Sequence, residues 1–348
     1  MRDTYSIDSS AMAFRVENGR RYQAYREGAY WAPNDELQNE HLDIRYDLEQ
    51  AESHEIFNVR IAINDSSRCL TGGCSLHQYL ITLRVLDLGT GTGIWAIDFA
   101  DLYPNASVLG TDLSPIQPEM VPPNCRFEID DITEEWTYPS SHFDFIHIRS
   151  LFGSIPDWPK VYEQAFKHRL TCSRHLKPGG FIEHIEPSLY LRSDDGTLAP
   201  DNPLHRFADL FNQAGERTGQ SMDLCPTMAS DMTRAGFINL REETFKTPMG
   251  EWSSDPKLRE LGRWNLLQFD VGLEGFAVQL LTRVMGVNTR HLKLMDVIDD
   301  STGGASFLHS ANVRAAARDP RTHAYYPHRV VYAQKPLATP RTSPGRTT

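Results

Sequence analysis

A short apolar run, Arg84-Val-Leu-Asp-Leu88, breaks into Gly89-Thr-Gly-Thr-Gly93 and then into Ile94-Trp-Ala-Ile-Asp-Phe-Ala-Asp-Leu102. Three glycines within five residues let the backbone turn sharply and let a ligand approach it closely. The nine residues after them carry helical spacing and stop before Pro104, which cannot continue a helix. This is a strand, a tight turn and a helix whose first turn offers N–H groups without intrahelical partners. A chain built around such a unit is constrained to an α/β fold.

The rest of the sequence repeats the alternation. Val108-Leu-Gly-Thr-Asp112 reads as a second strand, Phe127-Glu-Ile129 as a third after Pro122-Pro123, Phe143-Asp-Phe-Ile-His-Ile148 as a fourth and Phe181-Ile-Glu-His-Ile185 as a fifth. Pro159 opens a helix expected to end near Leu176-Lys-Pro-Gly-Gly180. Apolar strands alternating with helices and joined by short Gly/Pro turns predict a doubly wound, mostly parallel sheet covered on both faces. Leu204 to Gln213 and Leu258 to Met285 look helical, and Phe237-Ile-Asn-Leu240 and Arg329-Val-Val-Tyr-Ala333 look like strands. A late helical block between two strands predicts a helical lid insertion followed by a closing strand. The expected organisation is a disordered N-terminus over 1–16, a helical cap over 17–83, one α/β domain over 84–335 with a helical insert at about 250–320, and a disordered tail over 336–348.

Charge narrows the partners. The 348 residues carry 35 Lys+Arg against 46 Asp+Glu, a net charge of −11, and the basic residues form no dense stripe, so no direct reading of nucleic acid is expected. No apolar run reaches 18 residues, and Met1-Arg2-Asp3-Thr4 does not begin a signal peptide. An intracellular protein, cytoplasmic or nuclear, is expected. Five scattered cysteines (Cys69, Cys74, Cys125, Cys172, Cys225) make neither a disulfide framework nor a zinc set, so no metal is expected.

The glycine turn gains meaning from Asp112, at the end of the second strand and 19 residues beyond Gly93. A carboxylate there can accept both ribose hydroxyls of an adenosine. Two nucleoside cofactors fit, and electrostatics separates them. A dinucleotide lays its pyrophosphate on helix N–H groups and wants no carboxylate nearby. Here Asp87 stands at the mouth of the turn, and the spacing Gly-x-Gly-x-Gly departs from the dinucleotide pattern. An acid in that place suits a cofactor that carries an ammonium and a sulfonium, S-adenosylmethionine (SAM). The expected cofactor site is Asp87, Gly89, Thr90, Gly91, Gly93, Asp112, Leu113, Asp131 and Ile132. Asp131 is preferred to Asp130 for the adenine end, the structural alternative being an acidic pair that caps its loop.

Asp87-Leu-Gly-Thr-Gly-Thr-Gly93, Asp112, Asp131 and Leu176-Lys-Pro-Gly-Gly180 together resemble a class I SAM-dependent methyltransferase. Glu17-Asn-Gly-Arg-Arg-Tyr22, Gly28-Ala-Tyr30, Pro33-Asn-Asp35-Glu36, Asp112-Leu-Ser-Pro-Ile-Gln-Pro118, Asp194-Asp-Gly196 and His323-Ala-Tyr325 resemble the fungal LaeA-like methyltransferases. The resemblance spans about Glu17 to Tyr332. It implies a Rossmann-like seven-stranded sheet, SAM as cofactor and a link to fungal secondary metabolism, through either a small-molecule acceptor or a regulatory complex with velvet-type proteins. Three stretches, near 58–83, 169–175 and 287–318, depart from the family pattern and read as translated introns.

Methyl transfer is an in-line displacement at a carbon the sulfonium already activates, so the protein mainly aligns the acceptor and excludes water. His147, Arg149, Glu183, His184 and Glu186 lie at the sheet edge where ligands sit; a structural role is the default for each, and no catalytic base is assigned. Tyr22, Tyr25, Tyr30 and Trp31 form an aromatic cluster that either covers the cofactor or packs on the core. Trp252, Trp264 and Phe269 either line an acceptor pocket or belong to the core.

Overall fold

A computed structural model describes residues 14–26, 29–52, 83–166, 175–286 and 310–337. In chain order the elements are β1 (Phe14–Glu17), β2 (Arg20–Gln23), α1 (Glu36–Glu52), β3 (Arg84–Leu88), α2 (Ile94–Leu102), β4 (Ser107–Asp112), β5 (Cys125–Ile129), β6 (Phe143–Arg149), α3 (Trp158–Phe166), β7 (Leu176–Pro187), α4 (Pro203–Thr218), α5 (Met228–Ala235), β8 (Ile238–Pro248), α6 (Pro256–Gln279), a π-helical turn (Leu280–Val284), α7 (Ser310–Arg318) and β9 (Tyr325–Gln334). Seven strands form one sheet in the order β5-β4-β3-β6-β7-β9-β8. The first five pair in parallel. Only β9 runs against its neighbours β7 and β8. The order reverses between β3 and β6, which leaves a crevice at the carboxyl ends of those two strands.

Both faces of the sheet are covered. Trp95, Ala96 and Phe99 of α2 pack with Val85, Val108 and Phe145 on one face. Val161 and Tyr162 of α3 and Met228 and Met232 of α5 pack with Leu86, Ile146, Ile182 and Val331 on the other. A second apolar core sits above the crevice. There Trp31, Phe207, Phe211, Phe269, Leu273 and Val313 bring together the N-terminal segment, α4, α6 and α7. The helical insertion is therefore packed with the N-terminal segment in a core of its own.

Several expectations need correction. Residues 14–16 are not disordered but begin a hairpin, with Phe14 opposite Gln23 and Glu17 opposite Arg20. Its turn is Asn18-Gly19 with φ of 52° and 79°, the residue pair that tolerates two successive left-handed positions. Leu176-Lys-Pro-Gly-Gly180 is not a helix-ending turn. α3 already ends at Phe166, and the segment is the irregular start of β7, with a register shift opposite Phe143 and Phe145. Part of the third departing stretch is native-like: α7 is a helix with Val313 and Ala317 buried in the upper core. His175, the last residue of the second stretch, is buried beside Trp136 and Tyr138. The other residues of these stretches lie outside the described residues, except Leu83, which is buried in front of β3.

All three glycines of the turn have positive φ: 68° at Gly89, 58° at Gly91 and 83° at Gly93. A Cβ at Gly89 would overlap Leu151, and one at Gly93 would overlap the ring of Phe127. Gly93→Ala is expected to cost roughly 2–4 kcal/mol, combining left-handed strain with overpacking. Chemical denaturation checks this, and unchanged stability would show that Phe127 moves aside freely.

Candidate functional site

The crevice over β3 and β6 is a cleft of about 1120 Å³, open space at its mouth included. That is the scale of a small-molecule site. Its floor is the end of β3 with the glycine turn, and one side is formed by the loops after β4 and β5. His147 and Arg149 of β6 and the following Leu151 close the other side, while Tyr30, Pro33 and α1 lie over it.

Of the nine expected cofactor residues, Asp87, Gly89, Thr90, Gly91, Asp112, Leu113, Asp131 and Ile132 line this cleft. Gly93 is not among the lining residues. It stands behind them as the N-cap of α2, against Phe127. At Gly91 an added Cβ would meet nothing closer than Leu42 at 3.7 Å, so this glycine borders open space.

Asp112 does more than end a strand. Its Oδ2 accepts the Gly91 N–H at 2.8 Å and its Oδ1 accepts the Ser114 N–H at 2.9 Å. The carboxylate thereby holds the glycine turn to the neighbouring loop. The Leu113 N–H bonds the same carboxylate, which has about four lone-pair sites in all. Burial is the main cause that pushes the Asp112 carboxyl up to about 6, and the backbone N–H donors oppose it. Other turn N–H groups are also satisfied internally: Thr90 donates to the Thr111 carbonyl at 2.9 Å and Gly93 to the Thr90 carbonyl at 3.0 Å. These three N–H groups are thus spent and are not offered to a phosphate.

Asp87 is held from both sides. Its Oδ2 accepts the Thr90 hydroxyl at 2.5 Å, and its Oδ1 meets His147 Nδ1 at 2.7 Å. The His147 ring stacks on Trp95, centroids 3.8 Å apart and planes within 3°. Parallel register places Asp87, His147 and Glu183 in one row across β3, β6 and β7, with His147 Nε2 4.0 Å from Glu183 Oε1. Burial pushes the Glu183 carboxyl up to about 8, against the opposing Arg149 charge.

His184 and Glu186 lie elsewhere, outside the cleft lining, in a buried chain under the loop after β6. Tyr162 Oη meets His184 Nδ1 at 2.6 Å, His184 Nε2 meets Glu186 Oε1 at 2.9 Å, and that oxygen accepts the Leu151 N–H at 2.7 Å. These two side chains support the cleft wall from behind. Arg149 faces the cleft and lies over the Tyr46 ring, 4.6 Å from its centroid.

Asp131 lines the cleft and also caps its own loop. Its Oδ1 accepts from Thr133 N at 3.0 Å and Thr133 Oγ1 at 2.6 Å, and Arg26 pairs with Oδ2 at 3.3 Å. Asp130 borders the same space and takes the Tyr138 hydroxyl at 3.3 Å. The aromatic cluster divides. Tyr30 lines the cleft; Trp31 is core, with its Nε1 donating to the Phe152 carbonyl at 3.2 Å. Tyr22 is buried beneath the Arg15 guanidinium of the hairpin, and Tyr25 is exposed. Of the three late aromatics, Phe269 lines a second cavity, Trp252 stacks on His323 and Trp264 is exposed.

Sequence reasoning expected a helical cap over 17–83 but did not place residues of α1 in the site. Leu42, Arg45 and Tyr46 of this helix line the cleft, Asp43 accepts the Thr92 hydroxyl at 2.6 Å, and Tyr46 donates to Asp98 at 2.7 Å. The spacing of Leu42, Arg45 and Tyr46, three and four residues apart, was the available signal of a common face. The described residues include no helix long and apolar enough to cross a membrane, and no group of three or more His, Cys, Asp or Glu that could hold a metal ion.

The buried Glu183 carboxyl yields a sign-definite expectation. Its folded-state pKa lies above its unfolded value, so its stabilising contribution is full at low pH and is lost as pH rises from about 4.5 to about 8. Glu183→Gln is expected to flatten the fall in stability over that range, measured by denaturant midpoints at its two ends. An unaltered pH slope would mean that Glu183 is solvated.

Comparison with known proteins agrees with this geometry. Residues 32–241 match the family described as a methyltransferase domain. The chain is similar to methyltransferase pytC of Aspergillus terreus, 35% identical over 95% of this chain and 91% of that one. It is similar to the secondary metabolism regulator LAE1 of Cochliobolus heterostrophus, at 37% over 77% of this chain and 82% of that protein. The protein-methionine methyltransferase laeA of Emericella nidulans is 30% identical over 97% of this chain and 80% of its own. Among solved structures, Haemonchus contortus phosphoethanolamine N-methyltransferase 2 with S-adenosyl-L-methionine overlaps 80% of this chain and 53% of its own, at 16% identity and a TM-score of 0.41. A buried acid bracing a glycine turn at a sheet crevice, together with identity along nearly the whole chain, establishes the family: this protein is a SAM-dependent methyltransferase of the fungal LaeA-like group.

Proposed function

We propose that the cleft holds SAM with its ribose on Asp112 and Leu113, its adenine end beside Asp131 and Ile132, and its methionyl end along Gly89, Thr90 and Gly91 near Asp87, and that the methyl group passes to a small-molecule acceptor of secondary metabolism. The observation that carries this reading is electrostatic. Four carboxylates (Asp87, Asp112, Asp130, Asp131) border the cleft against two arginines, Arg45 and Arg149, while the turn's N–H groups at Thr90, Gly91 and Gly93 are already spent. Such a surface fits a cationic adenosyl ligand and opposes a pyrophosphate. The open space at Gly91 fits a ligand backbone lying against the turn.

Bound SAM supplies a methyl carbon made electrophilic by its sulfonium. The chain's own residues bind, orient and exclude water. Asp112 fixes the turn and accepts ribose hydroxyls. His147 stays clamped between Asp87 and Trp95, so Asp87 keeps one orientation toward the cleft. Tyr30 and Pro33 cover the mouth and Leu151 and Ile155 present apolar surface, which shields a displacement from water. His147 Nδ1 is held by Asp87 and no general base is assigned; an acceptor that ionises by itself or carries a lone pair suits the site.

The relatives named as secondary metabolism regulators favour a second reading, a nuclear subunit that acts through velvet-type proteins or on a protein acceptor. Incubation of the full chain with methyl-labelled SAM and fungal extract separates the two. Label on extractable small molecules is expected; label on protein alone, with velvet-type proteins captured, would put the regulatory reading first.

Asp112→Asn is expected to weaken SAM binding by about 2–4 kcal/mol, because an amide cannot accept both charge-assisted hydrogen bonds. Wild-type affinity should also fall as pH drops below about 6, where the Asp112 carboxyl takes up a proton and ceases to accept. Calorimetric titration at several pH values checks both, and an unchanged affinity in the variant would remove Asp112 from the site.

A further inference from the structure

A second cavity of about 660 Å³, open space included, adjoins the cleft and shares Arg45 with it. It lies under α6 and α4, and its wall is strongly aromatic, with Phe152, Phe207, Phe211, Phe269 and Tyr326. Such walls favour flat, apolar molecules. Its charge differs from that of the cleft. Among the described residues Arg45 borders it and no carboxylate does, so an anion or a polarised hydroxyl finds a charge partner there and an ammonium finds no counter-charge.

One polar feature is directional. Asn265 Nδ2 donates to the Pro248 carbonyl at 2.8 Å, so Asn265 must turn its Oδ1 the other way, where it accepts Gln268 Nε2 at 2.9 Å. That chain fixes the Gln268 amide and leaves its Oε1 as the free end. Gln268 is only 8% exposed and lines the cavity, yet Oε1 has no partner in the structure. A buried acceptor left unmet is costly, and it asks for a donor from a ligand.

Resting on the SAM reading of the adjoining cleft, we infer that this second cavity is the acceptor site and that it takes a neutral or acidic aromatic hydroxy compound, a phenol or enol, rather than an amine. Gln268 Oε1 meets a hydroxyl of the ligand, the aromatic wall holds its rings, and Arg45 stands at the junction to favour the ionised oxygen. The acceptor hydroxyl loses its proton to water. An oxygen lone pair then forms the O–CH3 bond as the carbon–sulfur pair returns to sulfur, giving a methyl ether and the neutral thioether S-adenosylhomocysteine.

Calorimetric titration of the full chain tests this with naphthol, naphthalene and naphthylmethylamine, each in the presence of saturating S-adenosylhomocysteine. Naphthol is expected to bind best. Gln268→Leu should weaken naphthol about tenfold, the worth of one buried hydrogen bond, leave naphthalene unchanged and leave S-adenosylhomocysteine affinity unchanged. Retained binding of naphthalene and S-adenosylhomocysteine by Gln268→Leu shows that the variant is folded. Naphthylmethylamine binding as tightly as naphthol, or naphthol indifferent to Gln268→Leu while S-adenosylhomocysteine still binds, would overturn the inference. Failure of S-adenosylhomocysteine itself to bind would instead overturn the reading of the cleft.

Discussion

The two hydrogen bonds that Asp112 accepts, from Gly91 and from Ser114, organise the site. They take a carboxylate that burial would rather neutralise and use it to set the path of the glycine turn. Because the Gly91 N–H is committed to that carboxylate, it is not offered to an anion. Because the carboxylate is committed to the turn, it stays at the lip of the cleft. One pair of contacts therefore sets both the shape of the crevice and the sign of its charge.

Around this point the fold supplies rigidity from two directions. Below, the row Asp87–His147–Glu183 crosses three parallel strands, with the imidazole stacked on Trp95 of α2. Behind, Tyr162, His184 and Glu186 tie α3 and β7 to the Leu151 amide and so to the loop that walls the cleft. These are buried polar chains in an apolar setting, where hydrogen bonds gain strength and unmet groups are expensive. The titratable groups at this sheet edge thus orient backbone and rings, which suits a reaction that needs alignment more than proton transfer.

Much of this was legible in the sequence, and the reasons are local. α2 has the boundaries its spacing predicts because a left-handed Gly93 starts it and Tyr103-Pro104 stops it. Asp112 could be placed because a strand end two elements from the turn meets the same crevice in any doubly wound sheet. Leu176-Lys-Pro-Gly-Gly180 misled because a Pro-Gly-Gly string reads as a loop, whereas pairing of Leu176 with Phe143 of β6 and backbone bonds of Gly179 and Gly180 to Lys335 draw it into β7. The contribution of α1 was not legible. The spacing of Leu42, Arg45 and Tyr46 marks a common helix face, but that this face meets the cleft follows from long-range packing, including that of α1 against α6. The same holds for the division of the aromatics. Tyr30 and Trp31 are neighbours in sequence, yet only Tyr30 lines the cleft while Trp31 is buried in the upper core.

The most direct measurement is equilibrium dialysis of the intact protein against radiolabelled SAM, run in parallel with labelled NADH. An acidic cleft whose turn amides are already engaged should retain one equivalent of the sulfonium compound and none of the dinucleotide. Retention of the dinucleotide, or of neither, would contradict the account at its root.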